Sequence, residues 1–329
     1  MPGFLRFVEA AVSRYKPRGG FWHEHPELPP RPIRAWQVWN EPNLRPEFDP
    51  GGTVAHAAQR YAQVVRISHD AIKSKDPLAT IVLAGLATQN DPHAFEFLSD
   101  LYSAPGIKED FDVVAQNPYA STVDGVRKAI ERVRAVITGH GDKATPLWIT
   151  EFGWGSAPAD GTGINVGLTA QAQMLTKAYK LILSHRSAWN VQRLYWFDWR
   201  DPAPGSHFAD ICIRCGSAGL LPYDRAPKPS YSAFTAFSAD ATPPTAKINW
   251  GPLQGSTTSD PTPTLKFVSN EPGSTFQCKF DAKPLVTCAS PYTPKASLTN
   301  ATHTFYVRAI DAPGNVSTMA TRTFKVSAH

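Results

Sequence analysis

Two glutamates stand where apolar runs stop. Glu41 closes the run WQVWNEPN and Glu151 closes LWITEFGW, and each follows residues suited to a buried strand. A pair of carboxyl groups is the usual equipment for acid–base chemistry combined with nucleophilic attack, one group handling a proton while the other forms a bond. Taken singly, either glutamate is equally compatible with a carboxylate favoured by the positive end of a helix macrodipole. The other polar strand ends are VVAQNPYA, with Asn117 and Tyr119, and YWFDWRDP, with Trp196 and Trp199, while Asn40 precedes Glu41. If these strands are parallel and close into a barrel, their C-terminal ends share one mouth.

The elements needed to hold such a mouth are legible as short apolar runs alternating with helical patterns, the signature of βα units. Strands are expected at 33–39, 80–86, 112–117, 147–150 and 194–199, and helices at 55–74, 92–101, 123–138 and 169–184. Five parallel strands with four crossovers suit a barrel or an open doubly wound sheet equally. Ahead of them, Phe4, Phe7, Val8, Ala11 and Val12 form one stripe of an amphipathic helix. The Pro-rich stretch SADATPPTA cannot continue a helix and reads as a linker. Beyond it, Thr-rich and Ser-rich alternating runs at 264–268, 275–280, 303–309 and 321–326, separated by NEPGS and DAPGN, read as a small all-β sandwich. The expected domains are therefore 1–237 (α/β), a linker at 238–244 and a β-sandwich at 245–329.

Composition narrows the function classes. A formal charge of +5 with no run of Lys and Arg gives no basic face for nucleic acid. No segment approaches the roughly 18 apolar residues of a membrane span, and the N-terminus lacks the pattern of a signal peptide. Cysteine comes in two close pairs, Cys212 with Cys215 and Cys278 with Cys288, which suit disulfides and an oxidising, extracellular or cell-surface setting. The cluster FWHEHPELPP, with His23, Glu24, His25 and Glu27, is read as a solvated loop in preference to a metal site. Neither a metal nor any other cofactor is expected.

WQVWNEPN resembles the acid/base motif of clan A glycoside hydrolases, an apolar strand ending in Asn-Glu-Pro, and LWITEFGW resembles the nucleophile strand of the same clan. The order agrees, with two strand candidates between the motifs. VWNEPN followed by a helix and KDPLATIVLAG is most similar to family 39, which includes β-xylosidases and exopolysaccharide-cleaving endoglycosidases. The resemblance implies a (β/α)8 barrel and a retaining hydrolase acting on β-linked polysaccharide or oligosaccharide, with Glu41 as acid/base and Glu151 as nucleophile. It further implies that Asn40 bonds the sugar 2-hydroxyl and that Tyr119 donates to the nucleophile. Asn117, where many relatives carry His, is expected only to line the cleft. One of Trp196 and Trp199 is expected to stack on sugar, Trp199 being favoured because it lies nearer the mouth.

EPGSTFQCKFD and HTFYVRAIDAPGN resemble a bacterial Ig-like repeat, expected here as a structural module. Residues 1–30 offer no counterpart of barrel strands 1–3, so the expectation is an upstream start or a fragment whose catalytic part melts first. A second reading, a non-catalytic carbohydrate-binding or surface protein derived from such a barrel, follows from that shortfall.

Overall fold

Strands β1 (Ala35–Val38), β2 (Thr80–Leu83), β3 (Leu86–Ala87), β4 (Val114–Asn117), β5 (Leu147–Ile149) and β6 (Val191–Leu194) are all parallel to their neighbours. These come from a computed structural model describing residues 2–48, 51–88, 93–210, 212–224, 227–238, 243–271, 274–311 and 315–328. β1 lies in register with β2 from Ala35↔Thr80 to Val38↔Leu83, and a bridge between Val82 and Val113 ties β2 to the chain entering β4. The order then continues β3-β4-β5-β6. Each strand is laid on the outer side of its predecessor, so the sheet winds in one direction. A doubly wound sheet reverses at a switch point, and no reversal occurs among the described strands, which makes the α/β unit TIM-barrel-like.

The helices follow from apolar spacing. In α3 (Val54–Lys75) the buried residues Ala58, Tyr61, Ala62, Val65, Ser68, Ala71 and Ile72 recur at three and four. Its first turn is capped by Thr53, which accepts from His56 N. In α5 (Val123–Gly139) the same spacing buries Val126, Ile130, Val133 and Ile137, and Thr122 caps Gly125 N. α1 (Pro2–Tyr15), α2 (Gly20–Glu24), α4 (Ala94–Tyr102), α6 (Leu168–Trp189), α7 (His207–Asp210) and α8 (Pro229–Ser238) complete the helices. None of the described helices is long and apolar enough to cross a membrane. Pro92, the expected start of α4, lies outside the described residues.

Two expectations shift. The run at 80–86 breaks at Ala84–Gly85, where the backbone turns past a neighbouring side chain. The last strand sits at Val191–Leu194 and not at 194–199, because its outward Gln192 and Arg193 make an edge strand that hydrophobicity alone does not reveal. From Tyr195 onward the chain keeps single bonds to the β5 side, Tyr195 N to Ile149 O and Phe197 N to Phe152 O, and then pairs with 218–221 through Leu220 N to Asp198 O, Leu221 N to Trp199 O and a parallel bridge between Arg200 and Leu221.

The chain divides into two units, residues 1–174 with 186–230, and 175–185 with 231–329. In the second, β11 (Val286–Cys288), β10 (Thr275–Phe280), β12 (Thr302–Ile310), β13 (Ala320–Val326) and β8 (Thr257–Thr258) form one sheet, and β7 (Ala246–Trp250) pairs with β9 (Lys266–Ser269). One core draws Ile248 and Phe267 from the pair and Phe280, Phe305, Val307 and Phe324 from the larger sheet. A disulfide joins Cys278 on β10 to Cys288 on β11. Most of the expected linker, 239–242, lies outside the described residues.

Candidate active site

Glu41 follows β1 by three residues, and its neighbourhood is held by bonds from three directions. Its N–H donates to Gly85 O at 3.1 Å. The buried Tyr61 hydroxyl donates to Val38 O at 2.7 Å and accepts from Ala84 N at 2.7 Å, locking the ends of β1 and β2 together. Asn43 donates to Ala87 O at 2.9 Å and accepts from Ala87 N at 3.1 Å, fixing the far side of the Asn-Glu-Pro-Asn turn. Within this frame Trp39 and Glu41 adopt φ of 74° and 44°, the left-handed region that costs non-glycine residues about 1–3 kcal/mol and collects at functional sites.

Asn117 Nδ2 donates to Glu41 Oε1 at 2.9 Å, while Thr150 Oγ1 donates to Asn117 Oδ1 at 2.8 Å. The amide is fully buried, so both ends of it are committed. Gly85 makes room for this: a Cβ there would lie 2.2 Å from Asn117 Oδ1 and 2.5 Å from Thr150 Oγ1. Across the site, Tyr119 Oη donates to Glu151 Oε2 at 3.0 Å. The Tyr119 ring meets Phe197 edge-on and carries the Arg214 guanidinium on its face, 3.3 Å from the centroid.

Both carboxyl groups are raised above the ordinary glutamate range, chiefly by burial. Glu151 is pushed up to about 7, the negative charge of Glu41 being the second cause, with Tyr119 and Arg214 pulling downward. For Glu41 the bond from Asn117 and the charge of Arg214 oppose the rise. Each carboxyl group therefore holds its proton to higher pH than an ordinary glutamate, and because the charge of Glu41 raises Glu151 the two titrate as a pair.

Asn40 Oδ1 is buried and accepts no hydrogen bond from any described residue. Trp196 is partly buried against Phe152 and Trp154, with Nε1 donating to Ala218 O at 3.0 Å, whereas Trp199 is 55% exposed. A pocket of about 270 Å³ is lined by Gln37, Trp148, Thr150, Glu151 and Tyr195 among others. Cys212 and Cys215 form a disulfide. In the FWHEHPELPP segment Glu24 pairs with Arg14 at 2.7 Å and His25 with Glu27 at 3.1 Å. No group of three or more His, Cys, Asp or Glu among the described residues is placed to hold a metal.

Sequence reasoning missed Arg214, Thr150, Gly85 and Tyr61. A cation enclosed by two cysteines just after a strand that feeds the mouth was a usable signal for Arg214. Tyr61 carried none, being one apolar position among many on α3.

Residues 19–211 match the family model described as glycosyl hydrolase catalytic core, and the chain belongs to that family. A monomeric β-xylosidase from Caulobacter crescentus CB15 is similar in structure, with a TM-score of 0.51 and 16% identity over 93% of this chain and 52% of its own. A calcium-binding mutant of Bacteroides uniformis β-glucuronidase 2 superposes with a TM-score of 0.49 and 16% identity, over 100% of this chain and 37% of its own. The chain thus spans about a third to a half of the length of these structures, and the likeness is one of fold. No curated protein matches the chain in sequence.

Proposed function

We propose that the first unit is a retaining glycoside hydrolase in which Glu151 is the nucleophile and Glu41 the acid/base. The reading is supported by two partly buried carboxyl groups that follow β1 and β5, each with its own donor: Tyr119 on Glu151 and Asn117 on Glu41. The substrate read from the motifs is a β-linked plant or microbial polysaccharide or oligosaccharide, with family 39 as the nearest pattern. Other parts of the proposal are a (β/α)8-type barrel domain at 1–237, a linker at 238–244, an Ig-like module at 245–329 and an extracellular or cell-surface setting.

In the first step Glu151 attacks the anomeric carbon as Glu41 gives its proton to the departing oxygen, leaving a glycosyl ester and an ionised Glu41. Water then attacks the same carbon, Glu41 takes a proton from it, and Glu151 leaves as carboxylate. A proton must sit on Glu41 before the first step. A sugar closing over Glu41 removes it further from water and favours the neutral form there, while the Tyr119 hydroxyl favours the anion at Glu151. Esterifying Glu151 deletes its charge, which lowers the Glu41 carboxyl and suits it to act as base. Asn40, next to the acid, would meet the sugar 2-hydroxyl, and its unsatisfied buried oxygen supports a polar ligand there.

Glu151→Ala should abolish turnover of an activated aryl β-glycoside. Added azide should restore the rate with a glycosyl azide of inverted configuration. An azide adduct of retained configuration would overturn the role of Glu151, and sugar binding without turnover by the unaltered protein would favour a non-catalytic carbohydrate binder.

A further inference from the structure

The loop CIRC, residues 212–215, places a cation over the ring of Tyr119, the donor to Glu151. The Cys212–Cys215 disulfide closes it with the two Cα atoms 5.2 Å apart, and Cys215 N donates to Cys212 O at 3.1 Å. Its flanks are tied to three other segments. Asn165 Nδ2 donates to Ile213 O at 3.2 Å, and Ser217 Oγ donates to Asn165 Oδ1 at 3.2 Å. Lys228 Nζ donates to Ser217 O at 3.0 Å while it pairs with Asp201 at 2.6 Å, almost out of reach of solvent. Gln171 Nε2 donates to Trp154 O at 2.8 Å and to Ser217 O at 3.3 Å. A residue in so anchored a loop has little freedom to leave its place.

That residue is Arg214, lying flat on the Tyr119 ring whose hydroxyl donates to Glu151. Tyr119 is 4% exposed, so its ring is fixed from one face by the guanidinium and at the edge by Phe197. The charged and titratable groups around the pair are Glu41 and Glu47 after β1, Tyr119 after β4, Glu151 after β5, Asp198 after β6 and Arg214. Four of these are carboxyl groups. Arg214 is the cation whose charge acts on Glu41, on Glu151 and on Tyr119 alike, in each case favouring the ionised form.

We infer that Arg214 is a positioning residue for the reaction, its disulfide-closed loop holding the guanidinium over the Tyr119 ring so that the Tyr119 hydroxyl stays aimed at Glu151. This rests on the reading of Glu41 and Glu151 given above. The disulfide is thereby part of the site, since it sets where the cation lies.

The test compares the unaltered protein with Arg214→Ala, Arg214→Lys and a Cys212→Ser/Cys215→Ser double variant, each in the full chain. The first measurement is kcat/KM against pH with an aryl β-glycoside. Without the cation both carboxyl groups rise, so both limbs of the profile should move to higher pH. A displacement of one pH unit makes a drop of about tenfold on the acid side. Arg214→Lys should recover part of the displacement, and the double variant should shift in the same direction by less. The second measurement is direct titration of the glutamate carboxyls by NMR, which needs no turnover. Raised titration of both Glu41 and Glu151 in Arg214→Ala would support the inference even if the unaltered protein cleaves no glycoside, a result that would count against the proposed reaction alone. Unmoved limbs, with a uniform loss of rate or with unmoved carboxyl titrations, would overturn it.

Discussion

At the scale of single residues the proposed reaction needs Glu41 protonated and Glu151 ionised, although both are partly buried and compete for a proton. Burial raises both, Glu41 raises Glu151 further to about 7, and Tyr119 and Arg214 restrain the rise at Glu151. Activity should therefore be bell-shaped in pH: lost at low pH when both carboxyl groups are protonated, and lost above about 7 as the last proton leaves. A profile of kcat/KM that stays flat well above that value would contradict the paired titration. Tyr119→Phe keeps the ring under Arg214 but removes the donor. Hydrogen bonds to charged groups contribute about 1.5–3 kcal/mol, so kcat/KM at neutral pH should fall about ten- to a hundredfold, with the acid limb displaced to higher pH. Glu41 and Glu151 stand out in the sequence because each ends an apolar run, whereas Asn117, expected only to line the cleft, donates directly to Glu41. For Arg214 the flanking cysteines mark the residue, but its contact with Tyr119 joins segments far apart in sequence and so is not readable from either one.

At the scale of elements, the acid is placed by struts whose chemistry is ordinary and whose position is not. Tyr61 joins β1 to β2 from within α3, and Tyr61→Phe leaves Val38 O and Ala84 N without that partner in a dry environment. The expected cost is about 1–3 kcal/mol, read as a lower denaturant midpoint at unchanged slope, together with a fall in kcat from a displaced Glu41. Gly85→Ala should act more narrowly. The added methyl meets Asn117 and Thr150, so the donor that lowers Glu41 is displaced and the alkaline limb of the pH profile should move to higher pH. A variant with unchanged kcat and unchanged pH profile would show that Asn117 does not set the acid. The strand pattern was largely legible because buried parallel strands are apolar runs; β4, buried along its whole length, is the clearest case. The edge strand β6 was not, since its exposed Gln192 and Arg193 carry no hydrophobic signal while the more apolar segment after it leaves the β5 ladder and pairs with 218–221.

At the scale of the whole molecule, the two units should report separately. In the second, burial alone would lower the His303 imidazole, but its bonds to Asp281 at 2.8 Å and to Thr299 O at 3.0 Å outweigh that and raise it. A folded value above the unfolded one, about 6.5, means the imidazolium stabilises the fold. That stabilisation is complete below the unfolded value and disappears as pH rises through the folded one. Melting of the second unit should therefore fall across that window, and His303→Gln should flatten the dependence; a pH-independent transition in the unaltered protein would contradict this. Reducing Cys278–Cys288, which closes a loop of ten residues, should cost the same unit about 2–3 kcal/mol. The two-part organisation was legible from the change of texture around the Pro-rich stretch, but the grouping of 175–185 with the later unit was not, because α6 is one unbroken helix in sequence and in structure.

A nucleophilic Glu151 must form a covalent bond to sugar during turnover. Incubation with a 2-deoxy-2-fluoro β-glycoside bearing an activated leaving group should slow the second step more than the first and trap the ester. Intact-protein mass should rise by one fluoroglycosyl group, and peptide mapping should place it on Glu151. Label on Glu41, or turnover of an ordinary aryl β-glycoside to product of inverted configuration with no adduct formed, would contradict the account.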